Sequence, residues 1–305
     1  MEREPFVYVD GSFVAKSQAT ISVFDHGLLY GDGVFEGIRA YDGIVFHLKE
    51  HVDRLFESAD YIELKIPLGK KQMTEAILGT LRKNNLRNAY IRAVVTRGVG
   101  DLGVNPALCK DSTVIIITEP VKASPVPEPR VVSAIISSVR RDSVDATSHE
   151  VKSLNYLNSI LAVNEANRAG VDVAIMLDSR GFVSEGPTMN IFMVKRGVII
   201  TPATSAAILH GITRERVIKL CEELGHRVVE RDITPFEVVS ADEVFLTGTL
   251  AEIVSVGSIN KKKVGLGNGG PVTLSLFKEF NRVVRREEEG TPIFEVKKVK
   301  ESITT

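Results

Sequence analysis

His149-Glu-Val-Lys-Ser-Leu-Asn-Tyr-Leu-Asn-Ser-Ile-Leu161 puts a single lysine, Lys152, directly in front of an apolar-periodic run. Leu154, Leu157, Ile160 and Leu161 recur at three- and four-residue spacing, which predicts a helix starting just after Lys152, with Ser153 near its N-cap. That start would set the lysine against the positive end of the helix dipole, where an ammonium is disfavoured and a nucleophilic amine favoured. A lysine before a helix is most often a solvated surface group, so the flanking sequence has to decide.

On either side, residues 131–137 and 172–177 read as strands, and Gly170 is placed to cap the intervening helix. Upstream, Pro120, Pro125, Pro127 and Pro129 crowd into residues 119–130, a stiff connector that cannot join a helix or a central strand. We take residues 120–130 as an interdomain loop between a small N-terminal domain (1–119) and a larger, β-rich C-terminal domain (131–290) carrying the lysine. Residues 291–305, charged and poor in apolar side chains, read as a weakly ordered tail.

The N-terminal piece opens with an alternating ribbon around Asp10-Gly11. Between Asp25 and a second hairpin signal at Asp42-Gly43, glycines alternate with Tyr30, Phe35 and Arg39. That spacing fits a glycine-bulged strand or a pocket wall equally. A helix follows from Leu48 with Val52, Leu55, Phe56 and Ala59 on its core face. Arg54, about 160° from Val52, faces solvent or something docked on the far side. Residues 73–83 read as a second helix and 87–96 as a strand that sets Tyr90 and Arg92 on one face. A phenol beside a guanidinium suits a carboxylate, and so does the solvated face of an edge strand. Residues 112–118 read as a buried strand.

Downstream, Glu185 stands alone between Ser184 and a Gly-Pro break, as a loop solvator or a held acceptor. A hairpin spans residues 190–200. Leu209-His-Gly-Ile-Thr-Arg opens a helix with Val217, Leu220, Cys221 and Leu224 on its core face, leaving Gly211, Ile212 and Thr213 at an anion-ready N-terminus. Strands 243–246 and 253–256 flank the turn that holds Thr249 and Leu250.

Composition narrows the partners. The 305 residues carry 38 basic and 39 acidic side chains, so no global field recruits nucleic acid or an anionic membrane. The N-terminus does not read as a signal peptide and no apolar run reaches the ~18 residues of a membrane span, so a cytoplasmic protein acting on small molecules is expected. Cys109 and Cys221 lack metal or redox spacing and read as buried structural thiols.

One lysine, one isolated carboxylate, an arginine off a helix, a tyrosine four residues past the lysine and two hydroxyl-bearing anion turns together suit pyridoxal 5'-phosphate. Its aldehyde needs an amine, its ring nitrogen a carboxylate, its phenolic oxygen a donor and its phosphate an arginine with amides and hydroxyls. Tyr30-Gly-Asp-Gly-Val-Phe-Glu-Gly-Ile-Arg39, Glu50-His-Val-Asp-Arg54, Tyr90-Ile-Arg92, Lys152-Ser-Leu-Asn-Tyr-Leu-Asn158, Ser184-Glu-Gly186, Gly211-Ile-Thr-Arg214 and Gly248-Thr249 resemble the branched-chain aminotransferases of the fold-type IV pyridoxal-phosphate group. They occur in the family's order across residues 5 to 285.

The resemblance implies a two-domain α/β (α+β) fold and a ping-pong transfer of the amino group of leucine, isoleucine or valine to 2-oxoglutarate. By position, it makes Lys152 the catalytic lysine that holds the cofactor and carries the proton, and Glu185 the partner of the ring nitrogen. Tyr156 matches the donor to the phenolic oxygen, and Arg54, Ile212, Thr213 and Thr249 match the phosphate site. Tyr90 with the amides of Thr249 and Leu250 matches the α-carboxylate site, and Phe35 and Gly37 match the side-chain pocket. Arg92, assisted by Arg39, is the candidate for the second carboxylate of 2-oxoglutarate. Tyr30 and Val104 match residues given by a neighbouring subunit, implying a homodimer at least. The chain departs from many bacterial members in having no aromatic residue in the interdomain loop, and in carrying Leu250 where a smaller residue is common. A D-amino acid aminotransferase and an aminodeoxychorismate lyase share the same lysine, carboxylate and arginine, and a non-catalytic phosphate-ligand binding protein is the alternative from another class.

Overall fold

Asp10-Gly11 and Asp42-Gly43 turn the chain as their residue types demand, with φ of 43° and 89° at the first pair and 51° and 100° at the second. This left-handed backbone is what a two-residue hairpin requires. The computed structural model describes residues 4–122 and 128–294. The hairpins join β1 (Phe6–Val9) to β2 (Ser12–Ala15) and β3 (Gly33–Tyr41) to β4 (Ile44–Phe46). Next come β5 (Ala89–Thr96) and β6 (Thr113–Pro120), then β7 (Val131–Arg140), β8 (Val173–Leu177), β9 (Asn190–Lys195) and β10 (Val198–Thr201). The last strands are β11 (Val228–Glu230), β12 (Glu243–Gly248), β13 (Glu252–Ile259), β14 (Lys262–Lys263) and β15 (Gly290–Pro292). The helices are α1 (His26–Tyr30), α2 (Leu48–Tyr61), α3 (Lys70–Lys83), α4 (Leu157–Ala169), α5 (Ile212–Glu223), α6 (Pro235–Val239) and α7 (Pro271–Val283).

Two sheets result. The first is antiparallel, in the order β15-β4-β3-β5-β6-β1-β2; the second is mixed, in the order β11-β10-β9-β12-β13-β7-β8, with β14 against β13. Period-two alternation sorts the first sheet's side chains. Ala89, Ile91, Ala93 and Val95 of β5 and Val34, Ile38 and Ala40 of β3 pack with Leu48, Val52 and Leu55 of α2 and Met73, Ile77 and Leu81 of α3. Phe35, Gly37 and Arg39, with Tyr90 and Arg92, are thereby left on the opposite face. Pairing of β3 with β5 runs without interruption from Gly33 against Thr96 to Ala40 against Ala89, so the glycine-rich segment is a regular strand and not a bulged one.

Several expectations are corrected. The helix after Lys152 begins at Leu157, with Tyr156 as N-cap, because the residues before it extend along β3. Ser153 bridges Val34, Phe35 N donates to Lys152 O at 3.0 Å and Leu154 N to Gly33 O at 2.8 Å. Of β3, β4 pairs only Ala40 and Tyr41, and this segment takes the edge left open, so Lys152 owes its place to a strand bridge and the helix-dipole argument lapses. The helix's buried face is Ser159, Ala162 and Ala166, small enough to lie close on β7 and β8. Leu157, Ile160 and Leu161 point outward and are about half exposed.

β6 alternates buried with half-exposed side chains instead of being wholly buried. Leu224 lies half-exposed at the C-cap of α5. Cys221 is buried but Cys109 only partly so. Residues 291–293, expected in the tail, are held in the fold: β15 pairs β4 and Ile293 is fully buried in the first sheet's core. Residues 295–305, like 123–127 of the proline-rich connector, fall outside the described residues. Among the described residues no helix is long and apolar enough to cross a membrane.

Candidate active site

The cavity-facing side of β3 and β5 meets the ends of the second sheet's strands across a cavity of about 940 Å³, the size of an ordinary small-molecule site. Phe35, Gly37, Tyr90 and Arg92 form one wall. Tyr90 lies so close over Gly37 that a Cβ there would sit 2.5 Å from the phenol oxygen, so a larger residue at this position would have to push the Tyr90 ring aside. Arg92 stacks over the Phe35 ring at 4.2 Å and makes no ion pair among the described residues.

Lys152 reaches the same space. Its Nζ donates to Tyr156 Oη at 3.2 Å and lies 4.5 Å from the Phe35 ring centre, with no carboxylate partner among the described residues. Glu185, almost wholly buried, is held from both sides. Oε1 accepts from Arg141 Nη2 at 2.8 Å and Nε at 3.2 Å; Oε2 accepts from Asn190 Nδ2 at 2.9 Å and the Leu209 amide at 3.2 Å. Burial pushes the Glu185 carboxyl up, while the Arg141 guanidinium, the Leu209 amide and Lys152 pull against it.

Arg54 enters from α2. Its Nε and Nη2 donate to the two oxygens of Glu36 at 2.7 and 2.9 Å and its Nη1 to His210 O at 2.6 Å. Glu36 also accepts from His51 Nδ1 at 2.7 Å. Burial alone would raise the Glu36 carboxyl; Arg54 and His51 outweigh it and hold the group far below the usual carboxylate range. Beside Arg54 lies the N-terminus of α5, whose N-cap Gly211 supplies no side-chain cap, so the first amides of the helix are left for a ligand. A Cβ on Gly211 would fall 2.0 Å from Asn190 Oδ1, so the residue that steadies Glu185 also fixes this helix start. The three-residue turn closed by Gly248 and Glu252 brings Thr249 and Leu250 to the cavity, and the buried Thr247 hydroxyl beside them has no hydrogen-bond partner among the described residues.

Of the residues expected at the site, Phe35, Gly37, Arg54, Tyr90, Arg92 and Lys152 line this cavity, as do Tyr156, Glu185, Ile212, Thr213, Thr249 and Leu250. Three do not. Arg39 turns past the wall to donate to Leu250 O at 3.2 Å and pair with Glu252 at 3.4 Å, so it braces the Thr249 turn and is not in the pocket. Tyr30 and Val104 lie together on the surface, with Tyr30 Oη accepting from the Gly103 amide at 2.8 Å. Sequence reasoning missed Glu36, Arg141 and Asn190 as partners of site residues, because their contacts join elements remote in the chain.

The donor set fits pyridoxal 5'-phosphate on its own terms: an amine without a carboxylate partner, a buried carboxylate, a guanidinium beside an uncapped helix N-terminus, and an orphaned hydroxyl. The sequence model for amino-transferase class IV matches residues 33–259. A Methanocaldococcus jannaschii protein provisionally named branched-chain-amino-acid aminotransferase is 51% identical over 95% of this chain and 99% of its own. The branched-chain-amino-acid aminotransferase of Pseudomonas aeruginosa is 39% identical over 95% of this chain and 96% of its own. The crystal structure of the branched-chain amino acid aminotransferase from Thermobaculum terrenum in its PLP-bound holo-form superimposes with a TM-score of 0.88 at 31% identity, covering 97% of this chain and 100% of that one. The chain belongs to the class IV aminotransferases, in their branched-chain group.

Proposed function

We propose that this chain uses pyridoxal 5'-phosphate to move the amino group of leucine, isoleucine or valine to 2-oxoglutarate. The observation that carries the reading is the convergence on one cavity of Lys152, Glu185 and the α5 N-terminus with Arg54. Lys152 would hold the cofactor through its aldehyde, Glu185 its ring nitrogen and Tyr156 its phenolic oxygen. The amides of Ile212 and Thr213, with Arg54 and Thr249, would take its phosphate. When bound, the cofactor supplies the electron sink that makes an amino acid's Cα proton labile.

The chain's own work is positioning and proton transfer. Lys152 Nζ would take up the labile Cα proton and hand it back, and Tyr156, 3.2 Å from it, would orient the amine. Tyr90 with the Thr249 and Leu250 amides receives the α-carboxylate, while Phe35 and Gly37 shape the apolar side-chain pocket. Arg92 serves the distal carboxylate of 2-oxoglutarate. Its guanidinium rests on the face of Phe35 at 4.2 Å with no ion pair among the described residues, so the charge stays available and one pocket can alternate between an apolar side chain and an anion.

We further infer two domains joined at residues 120–130, and a homodimer in which Tyr30 and Val104 complete the partner's pocket. The dimer is supported by the apolar surface around Tyr30, where Leu28, Leu102 and Val104 are 60%, 71% and 81% exposed; a patch of this kind marks an interaction face. The test is direct. The purified chain with pyridoxal phosphate should develop a visible absorbance band that leucine bleaches and 2-oxoglutarate restores. Borohydride should fix the pyridoxyl label on Lys152. A colourless, unlabelled protein, or a label on another lysine, refutes the assignment.

A further inference from the structure

Arg141 follows β7 directly, is 4% exposed, and holds a charge that the roles assigned above leave unused. Its backbone amide donates to Leu177 O at 2.9 Å, anchoring it where β7 and β8 lose register. Its guanidinium is satisfied almost wholly inside the protein. Besides the two bonds to Glu185 Oε1, Nη1 donates to Ser159 Oγ at 2.8 Å and Asn158 Oδ1 at 3.3 Å, and Nη2 to Gly186 O at 3.2 Å. These contacts tie β7, the start of α4 and the Glu185 loop around one carboxylate. A charge buried to this depth is costly unless paired, and its only ion pair among the described residues is with Glu185.

We propose that Arg141 is a positioning residue that keeps Glu185 anionic, so that a pyridine nitrogen docked on that carboxylate carries the shared proton. The inference rests on the pyridoxal-phosphate reading. Its physical basis is distance. The guanidinium touches the carboxylate at 2.8 Å, whereas a ligand nitrogen sharing Glu185's proton is separated from it by that carboxylate. The positive charge therefore stabilises the anion more than it opposes a positive ring. Coulomb attraction between close charges in a partly desolvated site is worth at least a tenfold bias in where such a proton rests. Asn190 and the Leu209 amide fix the other oxygen without contributing a charge.

The experiment uses the holoenzyme loaded with pyridoxal phosphate labelled with ¹⁵N at the ring, whose chemical shift reports ring protonation independently of turnover. Wild type should give the protonated resonance at neutral pH. Arg141→Gln, which retains a donor but loses the charge, should move the resonance toward the unprotonated position by a change of tenfold or more in the proton ratio. Arg141→Lys, which keeps the charge, should stay with wild type. The kcat for leucine should fall with the resonance while KM holds within about threefold. A purely structural Arg141 would lower the Tm of the Gln variant and leave its resonance in place. An unprotonated ring in wild type overturns the proposal, as does an unmoved resonance in Arg141→Gln or equal displacement in both variants. If the Gln variant does not fold, Arg141→Met, unbranched and uncharged, takes its place and is read by the same criteria against wild type and the Lys variant. A wild-type chain that takes up no label sinks the proposed function itself, and that result is distinct from all of these.

Discussion

Glu36→Gln isolates the pair that organises the phosphate end of the cavity. Glu36 is fully buried and accepts from Arg54 Nε, Arg54 Nη2 and His51 Nδ1, all within 2.9 Å. Glutamine keeps the shape and one acceptor but removes the negative charge, leaving the Arg54 guanidinium buried with the carbonyl of His210 and a neutral amide. Breaking a buried ion pair by neutralising one partner costs about 3–5 kcal/mol. At roughly 2 °C per kcal/mol for a chain of this size, the cofactor-free variant should melt about 6–10 °C below wild type.

The same change should strengthen anion binding. With Glu36 neutral, the charge of Arg54 is no longer compensated, and an added phosphate recovers part of what the pair lost. At an effective dielectric of about 20, a unit charge ~4–6 Å away is worth ~3–4 kcal/mol. Even a third of that tightens inorganic phosphate binding on the order of tenfold. Differential scanning fluorimetry across a phosphate series reads both effects, because stabilisation grows with the logarithm of ligand concentration over its Kd. The reasoning fails if the two proteins melt together without phosphate, or if phosphate raises both melting temperatures equally.

Arg92→Leu should cost kcat/KM for glutamate and 2-oxoglutarate roughly 2 kcal/mol, about thirtyfold, while leucine stays within a few-fold; equal losses in single-turnover half-reactions would make Arg92 structural. His149 is pushed down to about 4 by burial and by Arg141, against the pull of Asp142, so its folded value lies below its unfolded one of about 6.5. The unfolded chain then binds more protons between those values, so this contribution is complete above pH 6.5 and is lost toward pH 4, by roughly 2–3 kcal/mol. Urea midpoints for wild type and His149→Gln should run parallel at neutral pH and separate in acid, where only the wild type must charge a buried imidazole; curves that stay parallel throughout would exclude the group. Val104→Asp, on a side chain 81% exposed within one subunit, should leave the fold intact by circular dichroism yet shift sedimentation toward monomer and lower activity; an unchanged assembly would remove Val104 from the subunit interface.

What the sequence disclosed was local. Asp10-Gly11 and Asp42-Gly43 announce their turns because the required φ is a property of those residues, and Tyr90 and Arg92 share a face because strand side chains repeat every second position. Lys152 stands out in the sequence, but what holds it does not, since the bridge of Ser153 to Val34 is a pairing that no window around Lys152 contains. The same blindness explains α4: periodicity reports that Leu157, Ile160 and Leu161 share a side, not that the side faces outward while Ser159, Ala162 and Ala166 face the sheet. Arg39 shows the limit of parity. It shares a face with Phe35 and Gly37, but Leu250 O and Glu252 draw its guanidinium away and it does not line the cavity.

Ion pairing, which is wholly non-local, divides the site's charges into two kinds. Arg54 with Glu36 and Arg141 with Glu185 are buried couples whose charges largely cancel, so they hold geometry at opposite ends of the cavity and add little net field. Lys152 and Arg92 line the space between them and make no ion pair among the described residues. Between these neutral couples Lys152 and Arg92 flank the Phe35 ring, 4.5 and 4.2 Å from its centre, and present positive charge to a ligand seated there. Every ligand in the proposed reaction carries at least one carboxylate or phosphate, and Lys152 and Arg92 are the residues assigned the proton transfer, as the free amine, and the second carboxylate. Supplying either with a built-in acidic partner would satisfy it permanently and close the site to the ligands that now complete it.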